Sequence, residues 1–154
     1  MRVFITGGSG WIGSAVVPRL IGAGHQVVGL ARSDAAAARL EAAGARVVRG
    51  DIDDLDLLRA EAARSGGVIQ LAFRHDIAFQ PDGFARAAAS EGQSIDAIGD
   101  ALAGTDRPFV MASGTPAVPG RPSTESDEPN LTGPAALRGV NARAGRALAE
   151  RGLR

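Results

Sequence analysis

The chain of 154 residues contains no cysteine and no tyrosine, and all 17 of its cations are arginine, because lysine is absent too. Each absence excludes a chemistry. Without cysteine there is no disulfide framework, no thiolate nucleophile and no thiolate-ligated zinc. Without lysine there is no Walker A loop, whose lysine contacts the β- and γ-phosphates. Without tyrosine no phenol serves as a general acid. Two histidines, His25 and His75, are too few for a histidine-rich metal site. Aromatics are scarce and alanine is abundant, so a thin core of modest stability is expected. The 17 arginines balance 17 acids, and neutral, scattered charge argues against a nucleic-acid partner. No apolar run reaches the ~18 residues of a membrane span, and no charged-then-apolar leader opens the chain. A soluble, cytoplasmic protein with no membrane partner is the expectation.

What is present alternates between two periodicities. Strands are expected at 2–6, 26–30, 46–49, 68–72 and 109–112, each short and β-rich. Helices are expected between them: 10–23, with Pro18 disturbing it; from Ser33 or Asp34 to Ala43; from Asp53 or Asp54 to about Arg64; and from Pro81 to Ala103. The apolar residues of the fourth helix, at 84, 88, 95, 98 and 102, share one face. Residues 113–133 read as a long loop and 134–151 as a last helix. Strands alternating with helices imply βαβ units, a parallel sheet and helices on both faces. The fold class expected is therefore α/β, a doubly wound parallel sheet of five strands, with residues 1–154 forming one domain. A glycosylation sequon at Asn130-Leu131-Thr132 is read as coincidence.

The most informative segment is Thr6-Gly7-Gly8-Ser9-Gly10-Trp11-Ile12-Gly13, between the first strand and the first helix. In the frame G-x-x-G-x-x-G, Gly7 permits the tight turn. Gly10 lets the backbone approach a pyrophosphate, and Gly13 lets the helix pack close to the strand. The helix N-terminus then offers free N–H groups to phosphate oxygens. This predicts a dinucleotide-binding site. Trp11 either packs under the loop or shields the pyrophosphate. The end of the second strand reads Leu30-Ala31-Arg32-Ser33, without the acid that accepts from a ribose 2′-hydroxyl. Arg32 can instead hold a 2′-phosphate bidentately and Ser33 can add a hydroxyl. NADP(H) is therefore expected over NAD(H), with Asp34 a nearby acid that could pair with Arg32. After the third strand, Asp51 either accepts from an adenine amine or caps the next helix. Ile52 can cover the ring face.

These residues resemble the short-chain dehydrogenase/reductase superfamily, in its extended and atypical branch of NAD(P)-dependent epimerase/dehydratase-like proteins. The landmarks are TGGSGWIG at 6–13, GHQVVGLARS at 24–33, GDIDD at 50–54, VIQLAF at 68–73 and PFVMASGT at 108–115. The resemblance implies that Leu71, Ala72 and Phe73 line the cofactor and that Thr115, or Ser113, takes the place of the family's catalytic hydroxyl. It also implies an oxidoreductase acting on a small carbonyl, alcohol or sugar-like substrate. The family's Tyr-x-x-x-Lys dyad is missing: Arg138 falls near the tyrosine position and Ala142 near the lysine position. An arginine, with a pKa above ~12, can polarise or bind an anion but cannot act as a general acid near neutrality. The alternative is thus a catalytically inactive NADP(H)-binding or regulatory module, or an inactive fragment of a larger enzyme. Relative to the family the chain is expected to lack its last strands and substrate lobe, since it stops at 152–154, where a sixth strand should begin. The fifth strand would then keep an open edge that favours self-association, so a homo-oligomer is one expectation.

His75, after the fourth strand, is either a plain loop histidine or the remaining candidate for proton transfer, with Asp76 to orient its ring. His25 reads as structural. Glu125, Asp127 and Glu128 read as a solvated loop or lid rather than a metal site. Asp53, Asp54 and Asp56 read as acids favoured at a helix start.

Overall fold

The computed structural model describes residues 1–129, 131–133 and 136–154. Asn130 of the sequon and Pro134, the expected start of the last helix, lie outside the described residues. Five strands form one sheet: β1 (Arg2–Thr6), β2 (Gln26–Ala31), β3 (Arg46–Arg49), β4 (Gly67–Gln70) and β5 (Phe109–Met111). Their order is β3-β2-β1-β4-β5 and every pairing is parallel. This is the Rossmann-type arrangement that the alternation of elements anticipates. The order reverses between β1 and β4, where both chains turn away from the sheet and open a crevice at the carboxyl ends.

Successive strand residues point to opposite faces. Phe4, Val28, Leu30 and Val68 face one core cluster, in which Ile52, Leu58, Ile95, Ile98 and Leu102 also sit. It is roofed by α3 (Leu55–Ala63) and α5 (Gly83–Leu102). Ile5, Val27 and Ala31 face the other cluster, closed by Val17 of α1 (Trp11–Gly22) and Leu40 of α2 (Asp34–Ala42). α1 continues through Pro18, and Gly24 at φ +82° turns the chain into β2. Ser33 caps α2, its hydroxyl oxygen accepting from the Ala36 amide at 3.2 Å.

The structure departs from the expected elements in three places. The segment between β4 and α5 is not an open loop but holds one helical turn, α4 (His75–Ala78). Its sequence is too short to show a period. The last helix divides into α6 (Ala136–Ala147) and a 3₁₀ turn at Leu148–Arg151. The edge of β5 is not wholly open either. The Arg154 amide donates to the Arg107 carbonyl at 3.1 Å, and the Phe109 amide donates to the Arg154 carbonyl at 2.8 Å, a first parallel rung. Among the described residues no helix is long and apolar enough to cross a membrane.

Candidate dinucleotide site

The glycine loop is shaped by contacts that allow no side chain. Gly7 sits at φ +67°, and a Cβ there would lie 2.7 Å from the Ala72 backbone nitrogen. At Gly13 a Cβ would lie 2.5 Å from the Gly8 carbonyl carbon, with the Gly7 and Gly8 carbonyl oxygens closer still. The Gly10 amide donates to the Gly7 carbonyl at 3.0 Å, closing the turn. No side chain caps α1 at Gly10, so the amides of its first turn lack intrahelical acceptors.

Beside this loop runs a cleft of about 660 Å³, within the range of small-molecule sites. It is lined from β1 by Gly7 and Gly10, from β2 by Arg32 and Ser33, from β3 by Asp51 and Ile52, and from β4 by Leu71, Ala72 and Phe73. Every cofactor residue expected from the sequence except Gly13 lines it, as do Trp11, Ile12 and His75; Gly13 packs behind the turn. Trp11 does not pack under the loop: at the first position of α1 it is 95% exposed. Ile52 is buried in the core and reaches the cleft only with one side.

A buried polar relay supports the floor. The Thr6 hydroxyl donates to Gln70 Oε1, Gln70 Nε2 donates to Ser94 Oγ at 2.8 Å, and Ser94 Oγ donates to the Glu91 carbonyl at 2.8 Å. Gln70 Oε1 also accepts the Ala72 amide at 2.9 Å, which fixes the backbone against which Gly7 packs. Sequence reasoning missed Gln70; the signal was a polar residue inside the otherwise apolar run Val68–Ala72.

The charged rim differs from the expected pairing. Asp34 binds Arg49 at 2.6 Å instead of Arg32. Arg32 Nη1 instead meets Asp76 Oδ2 at 2.8 Å and Asp51 Oδ2 at 3.9 Å. Asp76 therefore does not orient His75; its other oxygen lies 3.2 Å from Arg74 Nε. Arg74 also reaches Asp53 at 2.7 Å and Asp51 at 3.5 Å. Hydrogen bonding from Arg74, aided by Arg32 and opposed by desolvation, lowers the Asp76 carboxyl to about 2. The same bond raises the Arg74 guanidinium. Asp51 does not cap α3: Asp54 is the N-cap residue, and Asp51 Oδ1 accepts only a long 3.4 Å bond from the Asp53 amide. Arg39 of α2, unnoticed in the sequence, lines the same cleft as Arg32 and Ser33.

The candidate catalytic residues fall into two groups. His75 borders the cleft beside the glycine loop, its ring edge-on to Phe73 at 5.1 Å. Ser113 and Thr115 are exposed and line a second cleft of about 690 Å³ beside β5 and α6. Neither of these two clefts holds all three. His25 pairs its Nδ1 with the N-terminal amine at 3.3 Å, in keeping with a structural part. In the acidic loop Arg121 grips Asp127, and with the Thr124 amide it lowers that carboxyl to about 2, while Glu128 binds Arg146 at 3.1 Å. No group of three metal-ligating side chains occurs among the described residues.

Arg138, which the resemblance sets near the missing tyrosine, is committed elsewhere. Its Nη2 meets the buried Glu91 at 2.8 Å and donates to the Ala112 carbonyl at 3.1 Å, and its guanidinium lies 4.5 Å from the centre of the Phe73 ring. Asn141 Nδ2 adds a bond to Glu91 at 2.9 Å.

Comparison with known proteins bears on the fold and the family. A curated relative, an uncharacterised protein of Saccharomyces cerevisiae, is 43% identical over 130 residues, covering 82% of this chain and 42% of its own. The crystal structure of UDP-glucose 4-epimerase from Thermotoga maritima superposes with a TM-score of 0.80 at 24% identity, over 99% of this chain and 53% of that one. Triphenylmethane reductase of Citrobacter sp., solved in complex with NADP(H), superposes with a TM-score of 0.66 at 16% identity, over 96% of this chain and 46% of that one. The chain thus spans about half the length of the proteins it matches. The NAD dependent epimerase/dehydratase family matches at residues 3–148, nearly the whole sequence. The chain belongs to the NAD dependent epimerase/dehydratase family.

Proposed function

We propose that the chain binds a nicotinamide dinucleotide, NADPH in preference to NADH, and serves as the coenzyme half of an oxidoreductase acting on a small carbonyl, alcohol or sugar-like substrate. The observation that carries this reading is the glycine-walled cleft at the carboxyl ends of four parallel strands. Its residues fit the group. Gly7 and Gly13 have no room for a Cβ, the helix start carries no cap, and Arg32, Arg39 and Ser33 gather at the end where the adenosine ribose would lie. Gly7, Gly10, Trp11, Ile12 and Gly13 would hold the pyrophosphate, Asp51 and Ile52 the adenine, and Leu71, Ala72 and Phe73 the further half. Ser33 Oγ accepts from Ala36, which leaves its own proton for a phosphate oxygen.

When bound, the nicotinamide supplies or accepts a hydride. Thr115 or Ser113 would donate a hydrogen bond to the substrate oxygen, and His75 or a water would carry the proton. Arg138 is spent on Glu91. That commitment, with the absence of tyrosine and lysine, favours the second reading: an NADP(H)-binding or regulatory module without turnover, or an inactive part of a larger enzyme.

Calorimetry separates these readings. Arg32→Ala is expected to weaken NADPH about tenfold and NADH far less; equal losses contradict the 2′-phosphate role. Oxidation of NADPH by small ketones or nucleotide sugars, lost in His75→Ala and Thr115→Ala, supports the enzyme. Tight binding with no oxidation supports the module.

A further inference from the structure

The second strand ends without the acid that non-phosphorylated coenzymes use for the ribose 2′-hydroxyl. The fold brings one there from elsewhere. Asp76 lies 44 residues along the chain from Arg32, yet its Oδ2 accepts from Arg32 Nη1 at 2.8 Å. It is held in place from behind, because Arg74 Nε and Nη2 each donate to its carboxylate at 3.2 Å. Arg74 is in turn fixed by Asp53 at 2.7 Å. The carboxylate is therefore positioned by α4 rather than by β2, and it occupies the guanidinium that a 2′-phosphate would need.

We propose that Asp76 is a specificity-determining residue of the coenzyme site: from outside the cleft lining it holds Arg32 and opposes the 2′-phosphate of NADPH there. The inference rests on the coenzyme reading above. Arg32 draws the phosphorylated coenzyme, and Asp76 limits by how much. A 2′-phosphate must displace Asp76 from Arg32 and then lie beside a like charge. A 2′-hydroxyl makes no such demand on Arg32, and the pair stays intact. Both charges are partly exposed, at 49% and 38%, so water screens the opposition to a moderate rather than absolute preference.

The test is the ratio of dissociation constants for NADH and NADPH, measured by calorimetry at one ionic strength. Asp76→Asn keeps the shape and removes the charge, and it is expected to shift the ratio about tenfold toward NADPH. Asp53→Asn loosens the same network one step away from Arg32, and it is expected to leave the ratio within about twofold. A ratio unmoved in Asp76→Asn, or moved equally by both variants, overturns the specificity role while leaving coenzyme binding intact. Failure of the wild-type chain to bind either coenzyme overturns the coenzyme reading itself, and this proposal with it.

Discussion

Gly13 shows how a single hydrogen atom is required in place of a side chain. Its Cα faces two backbone carbonyls of the loop it follows, and neither can withdraw without moving the strand. Gly13→Ala is expected to lower stability by about 2 kcal/mol. Gly22→Ala, where a Cβ would meet nothing within 4 Å, is expected to be neutral or slightly stabilising; urea unfolding of the two variants checks the contrast. Such positions are legible in a sequence because their need is local: a turn, a close approach, a helix start. Arg32 and Ser33 were legible for the same reason, as neighbours at a strand end. The partner of Arg32 was not. Asp34 is adjacent in the chain but its carboxylate turns outward to Arg49, whereas Asp76 arrives from a remote turn. Of the two readings of Trp11 only packing under the loop fails, since a large apolar residue ordinarily packs and this one stands in solvent at the cleft.

Elements are held by pairs that periodicity half reveals. The apolar face of α5 runs through 84, 88, 95, 98 and 102, and the gap in that series is position 91. Glu91 fills it, buried, and binds Arg138 and Asn141 of α6. A charge on a buried stripe was the available sign of an interhelix pair. Glu91→Ala is expected to cost about 3 kcal/mol, because it strands Arg138. Adding Arg138→Met should recover part of that loss, as equilibrium unfolding of the double variant can measure. The turn α4 offers an acid-dependent counterpart. Asp76 is depressed to about 2, first by Arg74 and then by Arg32. Its contribution is therefore complete above the ordinary carboxylate value of ~4. It is lost as pH falls through about 2. Melting curves of the wild type and Asp76→Asn should differ slightly at neutral pH and converge across that acid window. A gap that persists at the lowest pH would contradict the pairing.

At the scale of the whole molecule, a parallel sheet with helices on both faces followed from the alternation of elements. Right-handed crossovers leave few other ways to wind five strands and their helices. The positions of side chains from separate elements did not follow. Which acid meets which arginine at the carboxyl edge depends on how α4 brings Asp76 to Arg32, and no periodicity reports that. The candidate hydroxyls at 113 and 115 illustrate the same limit: sequence order places them after β5, and the fold puts them in a cleft other than the one His75 borders. The crevice where strand order reverses is nonetheless a global consequence of the sheet.

A ligand that binds only the folded chain must stabilise it, by about 2.7 kcal/mol at one hundred times its dissociation constant. Titration of the folded wild-type chain with NADPH, followed by heat and by the shift in melting temperature, is therefore the most direct measurement. Saturable heat with a rising melting temperature is the expected result. No heat and an unmoved melting temperature, for NADPH and NADH alike, would contradict a dinucleotide in the glycine-walled cleft.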